Sequence, residues 1–374
     1  MKRRVNYYFL MVAGGLLTCG LLFLSTLSAI ASLKIFGNTN YYIFHQLISV
    51  AIGLVGGVIM FKLPLPFLKK IAPVLFIVNI LLVLAVFLPG IGVKLGGAHR
   101  WINIAGNTLQ PSEFLKITAI LFISAWLSNR ISTGGKKNWG GGAKKSFHNF
   151  ISIYLPFLVF LIIIGFLLLL QRDMSTLGIV CVTLITIYFI AQTPVWHTLL
   201  TFILGISSAL ILIIIQPYRL ERLMTFLNPG IDPMGMGHQI SQAKLAIGSG
   251  GIFGKGLGMS VQKFGALPEP MTDSIFAIVG EELGLIGASA LILVFATFVY
   301  LGFKIAHNAT DKFAKLTAIG LCTWIVFQAF INMASSVGLF PLAGIPLPFF
   351  SYGGSHIIAE IIAVGLLLNI SKNG

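Results

Sequence analysis

Long apolar segments alternate with short polar segments along almost the whole chain. Most apolar segments reach the roughly 17 to 20 residues that an α-helix needs to cross a bilayer. The pattern predicts an all-α polytopic membrane protein, with one membrane domain over residues 1–374 and about ten transmembrane helices. The predicted helices cover 7–32, 43–62, 71–89, 112–129, 149–170, 175–192, 197–216, 274–303, 314–339 and 354–371.

Four connecting segments carry patterns of their own. Turn-forming residues after Ile104 predict a small hairpin within 90–111, and Gly and Lys pairs predict a flexible basic loop over 130–148. The segment 217–273 is long, and its apolar spacing predicts two short helices, over 218–227 and 239–247. Prolines and glycines in 340–355 predict a loop that re-enters the membrane edge, where irregular backbone is tolerated beside a cavity.

The composition indicates that most of the chain lies in a membrane, and the charge distribution indicates its orientation there. Hydrophobic residues make up 57% of the chain and charged residues 9%, against roughly 25% charged residues in soluble domains. With the amino terminus inside, Lys and Arg concentrate in the cytoplasmic segments, and an even number of helices returns the carboxyl terminus to the same side. The net charge of +15 is dispersed over loops, so nucleic-acid binding is not expected.

The amino-terminal apolar segment has two interpretations. Ala29-Ile30-Ala31 resembles a signal-peptidase site, and Lys2, Arg3 and Arg4 precede the segment. Its apolar stretch is nevertheless longer than the core of a signal peptide, so an uncleaved anchor is expected.

The acidic residues lie mostly on the predicted external side. Asp273 sits at the mouth of the helix 274–303, either as an N-cap or as a functional carboxylate. Glu281 and Glu282 lie deeper, where carboxylates pair with a cation such as Lys116 or stay protonated. Glu113 and Lys116 lie three residues apart on neighbouring helix faces, either at a helix end or lining a wet cavity.

The glycine-rich run 248–258 suggests phosphate binding, but it lacks the Gly-Lys-Ser/Thr order of a nucleotide-binding loop because Gly256 follows Lys255. Two interpretations stay open. The run is a set of tight turns, or its backbone amides and Lys255 meet a diphosphate head group.

Six stretches together resemble the SEDS family (shape, elongation, division and sporulation). They appear in family order from the third helix to the last: His99 to Ile102 with Gln110 to Lys116, Asp232 to Lys263, Leu267 to Glu269, Thr272-Asp273, Gly280 to Gly284, and Leu347 to Ser355. The run 256–263 favours the division branch over the elongation branch. The chain departs from the usual family residues at Met271, Ser274, His238 and 171–176, while Asp173 and Asp273 match.

The resemblance implies a peptidoglycan glycosyltransferase in a bacterial inner membrane. It would polymerise lipid II, the undecaprenyl-diphosphate disaccharide-peptide, at the outer face, together with a class B penicillin-binding protein and other division proteins. Asp273 stands at the position of the family's catalytic carboxylate, a proposed general base. The expected substrate-binding residues are Arg100, Glu113, Lys116, Asp173, Lys255, Lys263, Glu269 and Ser351.

No cofactor is required by the sequence. A divalent cation, Mg²⁺ or Mn²⁺, bridging Asp273 and the diphosphate is an option because hard cations prefer oxygen ligands, although no dedicated metal motif is present. Three functional alternatives stay open at this stage. They are a lipid II flippase or transporter, a division scaffold without catalysis, and a role in elongation instead of division.

Overall fold

The computed structural model describes residues 5–95, 97–104, 107–133, 149–265 and 267–374. Most of the predicted basic loop 130–148 and the turn 105–106 lie outside the described residues. The helices are α1 (Tyr7–Phe36), α2 (Tyr41–Lys62), α3 (Leu65–Ala85), α4 (Pro111–Thr133), a π-helical turn (Phe150–Tyr154) leading into α5 (Leu155–Leu170), α6 (Met174–Ile190), α7 (Val195–Ile215), α8 (Pro217–Leu227), α9 (Met236–Gly250), α10 (Ile275–Asn308), α11 (Lys312–Ser336) and α12 (Gly354–Asn373), with 3₁₀ turns at Pro229–Ile231 and Gln262–Phe264.

The protein is a multi-pass membrane protein. Among the described residues, eight helices are long and apolar enough to cross a bilayer, namely α1, α2, α3, α5 with its π-turn, α7, α10, α11 and α12. The apolar α6 is shorter, and α4 carries Glu113 and Lys116 within its span. These ten helices match the ten predicted spans. The third helix was predicted to begin at residue 71, but α3 begins at Leu65. The proline in its first turn is tolerated because the N–H that proline lacks would have no partner there.

The helices α11 and α12 form the centre of the bundle. About 72% of the most apolar window of each is buried, against 6% for α7, whose exposed apolar face suits contact with lipid. Small residues let α2 approach α12: a Cβ at Gly365 would lie 2.2 Å from the carbonyl oxygen of Gly57, as in other closely packed membrane helices.

A three-stranded antiparallel sheet lies between α3 and α4, formed by β1 (Gly92–Leu95), β2 (Ala98–Ile104) and β3 (Asn107–Leu109). The predicted hairpin corresponds to β2 and β3, which pair Ile102 with Leu109. The sequence did not predict β1, a four-residue strand that pairs with β2 through a register shift after Val93. Four residues are too few for an alternating pattern to be recognised.

The helix α10 is not continuous, contrary to the prediction of one unbroken span. Gly284 has φ of 66° and ψ of −165°, a conformation that favours glycine. Residues of the glycine-rich run fill the break: the backbone N–H of Lys255 bonds to the carbonyl oxygen of Glu281 at 3.0 Å, and that of Leu285 bonds to Gly251 at 2.9 Å. The backbone groups freed by the break are therefore satisfied.

The break also sets the depth of the carboxylates before it. From Leu285 to Asn308 the helix is about 36 Å long at 1.5 Å per residue, enough to cross a bilayer alone. Glu281 and Glu282 therefore lie at the edge of the span, on the side of Asp273. Gly280 packs on α9, since a Cβ there would lie 3.0 Å from the Ile247 side chain.

Candidate active site

Asp273 lies in a tight turn immediately before α10. The carbonyl oxygen of Glu269 accepts bonds from the N–H groups of Thr272 (3.3 Å) and Ser274 (3.2 Å), and Glu269 itself has φ of 48°. The residue at the N-cap position of α10 is Ser274. The N-cap interpretation of Asp273 is therefore wrong by one residue. Asp273 is partly exposed, and its carboxylate lies near Gly344 in the segment before α12.

The electrostatic setting of Asp273 suits a proton acceptor. Burial raises its pKa above the ordinary value, and the nearby Glu269 carboxylate raises it further, while hydrogen bonds from Thr272 and Gln239 act in the opposite direction. The Thr272 hydroxyl lies 3.1 Å from Asp273 Oδ1 and 3.0 Å from Glu269 Oε2. A base whose pKa moves toward the working pH transfers protons more effectively.

The segment 337–353, between α11 and α12, closes one side of this site. Gly344, with φ of 61°, lies against the carboxylate, since a Cβ there would be 3.9 Å from Asp273 Oδ2. Ser175 of α6 donates a hydrogen bond to the carbonyl oxygen of Ala343. Ser351, an expected substrate-binding residue, is fully buried and bonds to the backbone of Thr272.

Lys255 and Lys263 form ion pairs with Glu281 and Glu282 of α10. Lys255 Nζ lies 2.7 Å from Glu281, with 34% of its side chain exposed, and Lys263 Nζ lies 3.7 Å from Glu282, with 6% exposed. The Glu282 carboxylate also accepts the N–H groups of Gly258 and Ser260. The suggested pairing of these glutamates with Lys116 is therefore wrong. The two carboxylates hold the glycine-rich run, and of the two lysines Lys255 is the more exposed.

Lys116 instead belongs to a buried polar network in the bundle. It lies 2.8 Å from Glu113 and donates to Gln328 Oε1 at 3.0 Å, beneath the ring of Trp324. The side-chain amide of Gln328 in turn donates a hydrogen bond to Glu360 Oε1 at 3.4 Å. Charges at membrane depth are costly unless paired, and this network pairs them while tying α4 to α11 and α12.

The Glu360 end of the network reaches the loop beside Asp273. Glu360 Oε2 accepts the backbone N–H of Phe349 at 2.8 Å, and Phe349 has φ of 65°. The Gln328 amide also donates to the carbonyl oxygen of Pro346 at 3.0 Å. The buried polar network therefore shapes the loop that borders the site.

Arg100 and Asp173 meet at the junction of α5 and α6. Arg100 on β2 donates to the carbonyl oxygens of Gln171 (3.1 Å) and Arg172. Asp173 caps α6 by accepting the Thr176 N–H at 3.2 Å, and it also accepts the hydroxyl of Ser112 at 3.2 Å. The buried Asp173 carboxylate, 3% exposed, therefore joins α4 to α6, while Arg100 joins the sheet to the same junction.

The structure thus sorts the predicted site residues into four groups. Asp273 and Glu269 share one turn, to which Ser351 bonds from the segment before α12. Lys255 and Lys263 contact the two glutamates of α10, and Glu113 and Lys116 form a buried pair. Arg100 and Asp173 lie at the α5–α6 junction. Sequence reasoning missed Gln239, Gln328 and Asn332, which contact these groups. Gln328 and Asn332 carried a usable signal, since amides inside an apolar helix require partners.

No group of three or more His, Cys, Asp or Glu side chains within the described ranges is arranged to hold a metal ion. The carboxylates of Asp273 and Glu269 lie on either side of the Thr272 hydroxyl and could supply oxygen ligands to an ion bound beside Asp273. Two carboxylates suit a hard cation such as Mg²⁺ only when substrate and water complete its coordination.

Known proteins match nearly the whole chain. A family model described as cell cycle protein, of the FtsW, RodA and SpoVE family, matches residues 7–374. Stage V sporulation protein E of Bacillus subtilis (strain 168) is 34% identical over 357 residues, covering 96% of this chain and 94% of that protein. The probable peptidoglycan glycosyltransferase FtsW of Trichlorobacter lovleyi is 37% identical over 363 residues, covering 97% of this chain and 92% of that protein.

Solved structures share the fold. One, described under "Structural coordination of polymerization and crosslinking by a peptidoglycan synthase complex", superposes with a TM-score of 0.78 at 22% identity, covering 98% of this chain and 97% of that chain. The rod shape determining protein RodA of Thermus thermophilus gives a TM-score of 0.70 at 21% identity, covering 98% and 96%. The family match and the relatives confirm the resemblance seen in the sequence motifs: this chain belongs to the FtsW, RodA and SpoVE family of cell cycle proteins.

Proposed function

We propose that this protein is a peptidoglycan glycosyltransferase that polymerises lipid II, with Asp273 as the general base. The observation that carries the proposal is the partly exposed Asp273 carboxylate, raised in pKa and held at the mouth of α10. The activity itself is supported by relatives at 35 to 37% identity that are named as probable peptidoglycan glycosyltransferases.

The proposed step transfers a glycan between two lipid-linked substrates. The acceptor C4 hydroxyl attacks the anomeric carbon of the donor, a new glycosidic C–O bond forms, and the bond to the undecaprenyl diphosphate breaks. The Asp273 carboxylate takes the hydroxyl proton, and the diphosphate leaves with the bonding electron pair. General-base catalysis of this kind contributes typically about 10² to 10⁴-fold.

A cation that stabilises the leaving diphosphate must be exposed enough to contact the substrate. Lys255 keeps 34% of its side chain exposed beside Glu281. Lys244 is exposed on α9, and its side chain crosses Gly338 just beyond α11. We assign the diphosphate to these two lysines because they are exposed, whereas the side chains of Lys116 and Lys263 are nearly buried. Asp273 and Glu269 would hold a divalent cation if the reaction uses one, and the ion would supply positive charge to the leaving diphosphate; chelation by EDTA in the assay tests this.

The setting of the reaction follows from the charge distribution. With both termini in the cytoplasm of a bacterium, the face carrying Asp273 and the sheet is the outer face of the inner membrane, where the lipid-linked glycan is exposed. Septal wall synthesis is favoured over elongation by the run 256–263. A class B penicillin-binding protein is the expected partner, consistent with a solved fold relative studied for coordinated polymerisation and crosslinking.

The decisive experiment measures glycan strands formed from purified lipid II by the protein with its candidate penicillin-binding partner. Wild type should give polymer, and Asp273→Ala should give none. Asp311→Asn is the matched control, because Asp311 caps α11 and asparagine also serves as an N-cap. Equal polymer from Asp273→Ala and wild type would remove Asp273 from the mechanism. Lipid II flipping without polymer from the wild type would favour the transporter.

A further inference from the structure

Asn332 of α11 connects the backbone of Asp273 to the loop that borders it. Its side-chain amide donates to the carbonyl oxygen of Asp273 at 3.0 Å and to that of Ile345 at 2.7 Å. Asn332 is 1% exposed, so it is too deeply buried to meet a substrate in this conformation. One side chain in a rigid helix therefore fixes the position of Asp273 relative to the loop.

The two residues before Asp273 are held in the same way. The Ser351 hydroxyl donates to the carbonyl oxygen of Thr272 and accepts the N–H of Leu347 at 2.8 Å. The N–H of Tyr352 donates to the carbonyl oxygen of Met271 at 2.7 Å. Three successive carbonyl oxygens, those of residues 271 to 273, are thus bound by groups from outside their own segment.

This arrangement differs from ordinary helix capping. In ordinary capping the carbonyl oxygen of the N-cap residue, here Ser274, accepts the first bond of the helix. Asp273 lies one residue earlier, and its carbonyl oxygen accepts a bond from a buried amide of another helix. The preceding turn also contains a strained φ of 48° at Glu269. Residues in sparsely populated conformations persist only when their surroundings hold them.

We propose that Asn332 and Ser351 are positioning residues that hold Asp273 in the geometry of the transfer step. The inference rests on the proposed function, since it concerns the same carboxylate. Removing the Asn332 amide frees the carbonyl oxygen of Asp273, and removing the Ser351 hydroxyl frees that of the adjoining Thr272. Neither change removes the Asp273 carboxylate. Small displacements of a reacting group of about 1 Å cost up to roughly 10²-fold in rate, so kcat falls while substrate binding is retained.

The chain offers a matched control at another place in the bundle. Asn369 of α12 is also fully buried, and its amide also bridges two carbonyl oxygens, those of Met60 and Leu63, each at 2.7 Å. These carbonyls lie at the α2–α3 junction. Asn369→Leu thus removes the same kind of bridge as Asn332→Leu, with the same change in side-chain volume, but without contact with Asp273.

The test compares steady-state lipid II polymerisation by wild type, Asn332→Leu, Asn369→Leu, Ser351→Ala and Asp273→Ala, each normalised to monodisperse folded protein in complex with the same partner. Asn332→Leu and Ser351→Ala should lower kcat about 10- to 100-fold, with KM for lipid II within about twofold of wild type. Asn369→Leu should lose comparable thermal stability and keep kcat. Ser351→Ala carries the test if Asn332→Leu does not fold.

Three results would overturn the inference. They are an unchanged kcat in Ser351→Ala or Asn332→Leu, an equal loss of kcat in Asn369→Leu, or a rise in KM with kcat retained, which would indicate substrate contact. Failure of the proposed function has a separate signature, because Asp273→Ala would then polymerise as well as wild type. The positioning inference fails while the proposed function survives if Asp273→Ala is inactive but Asn332→Leu and Ser351→Ala behave as wild type.

Discussion

The Lys116 ammonium group lies 2.8 Å from the Glu113 carboxylate inside the helix bundle, with both side chains almost fully buried. Lys116 also bonds to Gln328 at 3.0 Å. Because the pair is desolvated on all sides, neither charge can be removed alone without leaving the other uncompensated. The pair therefore stabilises the bundle, and through Gln328 and Glu360 it is connected to the loop near Phe349.

Removing the lysine should destabilise the protein strongly. Lys116→Met leaves the Glu113 charge buried without its partner, which should cost about 3 to 5 kcal/mol. Neutralising both groups in Glu113→Gln/Lys116→Met should recover most of this loss. The midpoint of thermal unfolding in detergent measures both effects, and Lys62→Met, at an exposed position on α2, serves as the control within about 0.5 kcal/mol of wild type. A double variant no more stable than Lys116→Met would contradict the uncompensated-charge explanation.

The sequence predicted these helices well because the bilayer imposes a length on each apolar segment. It also placed Asp273 at the mouth of a helix and Glu113 beside Lys116, both of which are local relations along the chain. It could not predict that Glu281 pairs with Lys255 and Glu282 with Lys263, because these pairings depend on a helix break. The paired residues are also 26 and 19 residues apart in sequence. The burial of Ser351 was likewise hidden, since one polar residue in a proline-rich loop has the same pattern whether it faces substrate or backbone.

The break in α10 should be intolerant of any side chain. Gly284 has a positive φ, and a Cβ there would lie 2.4 Å from the backbone nitrogen of Gly254. Gly284→Ala should therefore lower the midpoint of thermal unfolding and displace the glycine-rich run. Gly205→Ala is the control, because Gly205 lies within α7 with nothing within 4 Å of an added Cβ, and alanine is favoured in a helix by about 1 kcal/mol. Equal stability of the two variants would argue against the close contact at Gly284.

The glutamate pair should protect the glycine-rich run from proteolysis. Glu282 accepts the N–H groups of Gly258 and Ser260 and lies 3.7 Å from Lys263 Nζ. Hydrogen bonds to a charged group contribute about 1.5 to 3 kcal/mol each, so Glu282→Ala should raise trypsin cleavage after Lys263 at least about tenfold. Mass spectrometry of the fragments measures the rate, with Glu221→Ala, an exposed position on α8, as the control. Unchanged cleavage in Glu282→Ala would show that other contacts hold the run.

The acid limb of the pH–activity profile should belong to Asp273. A general base must be ionised, so activity falls as the pH drops through its pKa, and burial together with Glu269 moves this limb above the pH expected of an ordinary aspartate. In Glu269→Gln the neighbouring negative charge is gone, which favours ionised Asp273 and lowers its pKa. The acid limb should then shift to lower pH. Polymerisation rates between about pH 4 and 8 at fixed Mg²⁺ concentration test this, spanning the range where a raised carboxyl pKa falls. Asp311→Asn should leave the limb in place, whereas a Glu269→Gln profile identical to wild type would mean that another group sets it.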